Sequence, residues 1–485
     1  MKNPSSTAIS NLRWVGVSQI CRITISVGSM TIFARLLPAD DFGLLAMATV
    51  VTNFAAILRD MGTAAALVQK HELSQDLIDT VFWSNVLFGL VTGGAVAASS
   101  PLWAFLFHVP RLETILLALS LSFPVAALGA SHLALLEKRN NFRKVGFIEV
   151  SAGGIGALAG ILFAAEGGGI WGLIVQTLVT AGISTVLLWT RADWQPTLRW
   201  SFREFKGLLR FSGNLVSFNV INYFARNADG FIIGRYLGAS ELGHYNVAYR
   251  LMLLPLSNLT FVVNRALFPI YSTDQSDPVS LGRKYVETLR LISLITAPLM
   301  LGLWAVRTPF IESLLGSRWL ESATIIGWLA PVGYLQSMVS TTGALLAATG
   351  RTDILRNLGL ANSAMFIASF ALGLKGGAVG VAQAYFIANI IVATITLHVT
   401  LGQVRRTLAD FLKSIMRPFG CAIAMMCVVA LADAWLPIEI PPIIKLMCLV
   451  STGVLAYCAL LLVFQPTALG DASKLFGTAT VKSQE

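Results

Sequence analysis

"GRYLGASELGHYNVAYR", residues 234–250, decides the fold, because "ARLLPADDFGLLAMA" at 34–48 anticipates it. Shifted by 200, the two stretches coincide at Arg35/Arg235, Leu37/Leu237, Ala39/Ala239, Gly43/Gly243 and Ala48/Ala248, with Asp41/Glu241 conservative. The correspondence continues outward in order. A shift of 208 pairs Asp79/Glu287, Thr80/Thr288, Pro101/Pro309 and Glu113/Glu321, and a shift of 210 pairs "ALL" at 134 with "ALL" at 344. A slowly drifting offset is what loop insertions leave in a duplicated chain.

Both copies are built for lipid. Of the 485 residues, 55% are hydrophobic and 12% charged, where soluble domains carry about 25% charged residues, and the mean hydropathy is +0.71. Apolar runs long enough for a hydrocarbon core of about 30 Å, which takes about 20 helical residues, recur along the whole length. Fourteen spans are expected: 12–36, 42–68, 79–108, 113–136, 144–165, 168–190, 210–237, 242–270, 285–306, 322–348, 353–374, 377–402, 411–434 and 441–464. The fold class expected is therefore an all-α polytopic membrane protein with about fourteen transmembrane helices.

The loops test that number. An even count puts both termini on one side, so Lys and Arg should alternate in density from loop to loop. Twenty-three fall on the side of the termini and seven on the other, which predicts both termini in the cytoplasm. The net charge of +10 follows from this bias, with no nucleic-acid recognition module in view. No removable signal peptide is read at the amino terminus. The five cysteines show neither a C-x-x-C spacing nor a Cys/His metal pattern, so no metal is expected.

The repeat pairs spans 1–6 with spans 7–12. Since six is even, the copies share an orientation and are related by an axis along the membrane normal, and substrates of such transporters bind where repeats meet. The expected division is 1–195 and 196–404 for two six-helix lobes, with 405–485 holding spans 13 and 14 and a cytoplasmic tail. The longest connector, "RADWQPTLRWSFREFKGLLR" at 191–210, suits either a helix lying at the membrane surface or a basic anchor between the lobes.

Polar side chains mark one face on each of four spans. At 100° per residue, Asn219, Asn222, Arg226 and Asp229 of span 7 lie within about an 80° arc, and the shift of 200 places Gln19, Arg22, Ser26 and Ser29 on the same face of span 1. In span 8, Asn246, Arg250, Ser257 and Asn264 fall within about 40°, and Asn258 and Arg265 widen that face to about 120°. Span 2 adds Thr49, Thr52, Asn53, Arg59 and Asp60. A charge at mid-bilayer costs about 2.5 to 3.5 kcal/mol on insertion scales, so such groups face a cavity or a partner.

Five arginines inside spans (Arg22, Arg59, Arg226, Arg250, Arg265) oppose three acids (Asp60, Glu149, Asp229), which leaves the lining cationic. Each has a plainer alternative. Arg59 and Arg265 sit near span ends, within snorkelling reach of headgroups, and Arg226 is placed to neutralise Asp229 three residues on. Glu149 stands alone near the cytoplasmic end of span 5, where a structural hydrogen bond is expected. Asp229 is the candidate for an ion pair or for coupling to a driving cation.

"RDMGTAAALVQKHELSQDLIDTVFWSN" (59–85), "ALLEKRNNFRKVGFIEV" (134–150) and "GRYLGASELGHYNVAYRLMLLPLSNLTFVVNRALFPIYS" (234–272) resemble the Wzx-type polysaccharide flippases, in particular the colanic-acid-exporter-like branch of the multidrug/oligosaccharidyl-lipid/polysaccharide exporter superfamily. The resemblance implies two six-helix lobes in a V around a central cavity lined by spans 1, 2, 7 and 8, which are the spans the polar faces select. It implies an inner-membrane protein that flips an undecaprenyl-pyrophosphate-linked oligosaccharide repeat unit by alternating access, for exopolysaccharide, O-antigen or capsule synthesis. Polysaccharide polymerase and co-polymerase proteins are the implied partners besides membrane lipids. No cofactor is implied, and coupling to H+ or Na+ is left open. Cavity arginines of such flippases are held to bind the pyrophosphate; by helix and face, Arg22, Arg59 and Arg250 occupy those places here.

Two rivals remain open at this level. A cation-coupled multidrug exporter shares the architecture but favours acidic or aromatic linings. A membrane-embedded polymerase or glycosyltransferase needs a large outer loop or a carboxylate site near the interface; Asp40 and Asp41 are the best candidates for that site, and Glu241 alone replaces them in the second copy.

Overall fold

The computed structural model describes residues 4–60, 67, 73–206, 223, 227–273, 277–437 and 440–464, with side chains at 4–13, 60 and 257–273 outside the description. By packing, the chain divides into two units, Met1–Gly243 and His244–Glu485. That boundary falls inside a helix, and the lobe division at 195/196 read from the repeat remains an expectation.

The first unit runs through α1 (Pro4–Leu36), α2 (Ala39–Asp60), α3 (Gln75–Phe107), α4 (Arg111–Ser120), α5 (Ser122–Lys138), α6 (Phe142–Phe163) and α7 (Trp171–Arg191). A helical stretch at 227–236, α8, completes it together with the start of the next helix. The second unit contains most of α9 (Ala239–Thr273), then α10 (Pro278–Leu314), α11 (Leu320–Val339), α12 (Thr342–Ala348), α13 (Thr352–Gly373), α14 (Gly377–Gln403), α15 (Leu408–Trp435) and α16 (Pro442–Phe464). Each of the fourteen expected spans coincides, in whole or in part, with helix. Ten described segments are long and apolar enough to cross a membrane, one of them, Thr352–Gln403, holding both α13 and α14. The protein is a multi-pass helical membrane protein.

Local chemistry sets the helix ends. Ser74 caps α3 by accepting from the Leu77 backbone N–H at 3.3 Å. Asp277 caps α10 by accepting from Val279 and Ser280, with Pro278 at the first helical position, where its missing N–H costs nothing. A reciprocal capping box between Thr407 and Asp410 opens α15. The repeat-matched Pro101 and Pro309 lie inside α3 and α10 near the ends of both helices. Spans 4 and 10, expected as single helices, are each broken in the structure, at Leu121 and at Ser340–Thr341. The second break falls in the polar run Ser340–Thr341–Thr342–Gly343, and Leu121 stands between Ser120 and Ser122, so both breaks coincide with short polar interruptions inside long apolar runs.

Within the first unit α6 packs along α7, α1 along α6, and α3 along α5; within the second, α10 packs on α11, α15 and α16. Small residues allow these approaches, as is usual between membrane helices: a Cβ on Gly172 would lie 2.6 Å from the carbonyl oxygen of Gly160. Spans 13 and 14, which lie outside the repeat, are anchored on α10, where the Tyr457 hydroxyl donates to the Leu294 carbonyl at 2.8 Å. Side chains such as Phe105, Leu158, Leu455 and Val463 are exposed on helix surfaces, as a lipid-facing wall requires.

Of the two alternatives for the connector, the structure speaks against a surface helix over its first half. Among the described residues it is helical only at 202–206, and residues 192–201 are irregular. The fully buried Asp79 accepts from the Thr197 backbone N–H at 3.0 Å and from the Thr197 hydroxyl. Thr80 accepts from the Ser201 N–H at 3.0 Å, and the Trp83 indole donates to the Thr197 carbonyl at 2.9 Å. Trp194 packs against Phe82 and His132. The apolar side chains Leu198 and Phe202 stay exposed beside Arg199, Arg203 and Lys206. The start of the connector is a strap fastened to α3 rather than a free surface helix, because buried side-chain acceptors satisfy its backbone.

Candidate functional site

The candidate residues are held on helices, which fix their faces. On α1, one guanidinium nitrogen of Arg22 donates to Glu149 of α6 at 2.9 Å, and another donates to the Gln19 side-chain carbonyl. Arg22 keeps 42% and Glu149 35% of its side-chain surface accessible, so the cluster is paired without being sealed. Glu149 is thus not isolated, as the sequence suggests, but the counter-ion of Arg22. No local pattern could disclose a partner 127 residues away. Ser26 is exposed, while Ser29 is buried and its hydroxyl donates to the Ser26 carbonyl at 3.1 Å.

On α2, Thr49 donates to the Leu45 carbonyl at 2.7 Å, Asn53 is exposed, and Arg59 is half-buried and engaged with neighbours. The Tyr223 hydroxyl donates to the Val50 carbonyl at 2.6 Å, and its ring lies against Phe54, which fastens the middle of span 7 to α2. Gly230 of α8 faces Val50 and Gly234 faces Met47 and Phe107, so α8 lies close on α2 and α3. Asp229 is 7% accessible, and its carboxylate accepts from the Gly230 N–H at 2.8 Å. Asn219, Asn222 and Arg226 lie outside the described residues, so the pairing expected between Arg226 and Asp229 does too.

In the second unit α9 is one unbroken helix, which holds residues 246 and 250 on a common face through its 3.6-residue turn. Asn246 is half-buried. Arg250 is exposed and forms no hydrogen bond or ion pair with a described residue. Ser257, Asn264 and Arg265 continue on the same helix, with side chains outside the described set. The helix pair that opens α9 is closed by His244, whose ring Nδ1 lies 3.1 Å from the Ser322 hydroxyl and whose Nε2 lies 3.6 Å from the Glu321 carboxylate.

Each unit thus presents an arginine on a membrane helix: Arg22, paired with Glu149 and Gln19 in the first, and Arg250, with no described partner, in the second. Guanidinium groups bind phosphate oxygens by charge-assisted, often bidentate hydrogen bonds. Among the described residues no group of His, Cys, Asp and Glu is arranged to hold a metal ion.

The sequence profile described as "Polysaccharide biosynthesis protein" matches residues 32–324, more than half of the chain. The chain belongs to the polysaccharide biosynthesis protein family. Within this family's reach, the lipopolysaccharide biosynthesis protein WzxC of Escherichia coli (strain K12) is 29% identical over 428 residues, covering 87% of this chain and 86% of that protein. The succinoglycan biosynthesis transport protein ExoT of Rhizobium meliloti (strain 1021) is 26% identical over 471 residues, covering 96% and 94%. Among solved structures, the lipid II flippase MurJ in an inward closed conformation superposes with a TM-score of 0.76 at 18% identity, over 94% of this chain and 100% of that one. The fold is shared with that structure. The resemblance to Wzx-type flippases stands.

Proposed function

We propose that the protein flips an undecaprenyl-pyrophosphate-linked oligosaccharide repeat unit across the bacterial inner membrane by alternating access, with both termini in the cytoplasm. Membership of the polysaccharide biosynthesis family, and relatives named for lipopolysaccharide and succinoglycan synthesis, support the cargo class. The observation that carries the reading is Arg250: an arginine on a membrane helix that makes no hydrogen bond or ion pair with a described residue. In this reading Arg250 and Arg22 take the pyrophosphate, Arg59, Arg226 and Arg265 add positive potential, and Gln19, Ser26, Asn219, Asn222 and Asn246 bind sugar hydroxyls. Flipping breaks no bond, so no nucleophile is required. Whether H+ or Na+ drives the cycle turns on Asp229 as the titrating or ion-paired group. Handover to a polymerase and co-polymerase follows on the outer face.

The test is complementation of a strain lacking the protein, with cytoplasmic and periplasmic repeat units measured separately. Arg250→Ala should reach the membrane at normal levels and accumulate lipid-linked repeat units on the cytoplasmic face, and Arg250→Lys should restore part of the export. Full export by Arg250→Ala would remove Arg250 from the mechanism.

A further inference from the structure

We propose that the second unit carries a phospholipid site, separate from the flipping machinery, in a groove between α10, α11 and α14 that seats the phosphodiester of an outer-leaflet anionic phospholipid against Arg307. The groove has a volume of about 580 Å³ and is walled by Trp304, Arg307 and Thr308 of α10, Thr324 and Trp328 of α11, and Phe386 of α14.

Arg307 is its single charged lining group. The guanidinium stacks 4.5 Å above the Trp304 ring and donates one hydrogen bond, at 2.6 Å, to the Trp304 carbonyl. A guanidinium has five N–H donors, so most are left for an incoming anion. Gly327 makes the room: a Cβ there would lie 3.2 Å from Arg307 Nε. Thr308 and Thr324 are exposed, and neither hydroxyl bonds to a described residue, whereas Thr288 and Thr296 of the same α10 bond back to the carbonyls of Lys284 and Ile292. A guanidinium with two uncommitted hydroxyls is a donor set for phosphate oxygens.

Depth and surroundings identify the occupant. Residues 291–306 of α10 carry no charge, and Arg290 and Arg307 bracket them. At 1.5 Å per residue that interval spans about 25 Å, close to one hydrocarbon thickness, so Arg307 lies at headgroup level on the side opposite the termini. The groove opens beside exposed apolar side chains: Leu320 and Trp328 on α11, and Ile387, Ile390 and Ile391 following Phe386 on α14. An acyl chain has a wall to lie on there. At the shift of 208 the first copy has Val96, Ser99 and Ser120 where the second has Trp304, Arg307 and Trp328, so the groove is an addition to one copy and not part of the shared scaffold.

The experiment uses the full chain in phosphatidylcholine nanodiscs containing a phosphatidylglycerol with a diazirine in its acyl chain, followed by photolysis and peptide mapping. Label is expected on peptides spanning 304–331, competed by unlabelled phosphatidylglycerol and not by diacylglycerol or inorganic phosphate. Arg307→Ala should lower it about tenfold, the loss of a charge-assisted contact worth about 1.4 kcal/mol, and Arg307→Lys should lie between. Should Arg307→Ala not fold, Thr324→Val, isosteric and exposed, takes its place with an expected loss of about threefold. Undiminished labelling in the folded variant, equal competition by diacylglycerol, or displacement by a polyprenyl phosphate at far lower dose would each overturn the proposal. None of these outcomes depends on whether an oligosaccharide lipid is flipped.

Discussion

Gly43 and Gly243 make one contact twice: a Cβ added to Gly43 would run into the carbonyl of Ala239, and a Cβ added to Gly243 would run into the carbonyl of Ala39. The partners are exchanged under the same shift of 200 that relates the two turns in sequence, so the duplication is visible as a reciprocal backbone contact. Inserting a methyl group against backbone costs about 1–3 kcal/mol. Gly43→Ala and Gly243→Ala should each lower thermal stability by that order, and the two together should cost less than their sum, because the two contacts are neighbours and one backbone shift relieves both. Gly94→Ala, with open space around it, serves as the neutral control in the same melting experiment.

The Arg22–Glu149 pair makes a directional prediction. If Arg22 takes phosphate, the cargo must displace Glu149 from it, and Glu149→Gln removes that competitor. The variant should retain pyrophosphate-linked lipid more tightly than the native protein, by about three- to tenfold, while exporting less because release slows. Weaker retention, measured by lipid binding to purified protein, would show the carboxylate to be a structural support for Arg22.

Asp79 holds the strap through the Thr197 N–H and hydroxyl. Asp79→Asn replaces a charged acceptor with a neutral amide and leaves a buried polar contact weakened, at a cost of about 1–3 kcal/mol. Limited proteolysis should then cut between 192 and 206 several-fold faster than in the native protein, and Thr197→Val should reproduce part of the effect.

Much of this was readable in the residues, and for identifiable reasons. Membrane spans announce themselves because lipid demands about twenty apolar residues in a row, and the turn at 234–250 is legible because Gly43 and Gly243 have no substitute where two backbones meet. Helix ends at Ser74, Asp277 and Thr407 follow local capping rules. What stayed hidden depends on partners distant in sequence: Glu149 has no neighbour that foretells Arg22, and Asp79 reads as one repeat match among several until Thr197 is seen upon it. Its counterpart Glu287 is exposed, so matching the copies misleads at this position. The polar faces on α1 and α9 are legible from spacing, but spacing cannot distinguish an open Arg250 from a paired Arg22.

The strap also alters how long the connector is in practice. Between α7 and the second copy the sequence offers a tether of some twenty residues, yet its first ten are already committed to the flank of α3. A tag or epitope placed at 196–200 would therefore be an insertion into a folded body, since the hold on α3 reaches at least to Phe205, whose ring lies against Phe88.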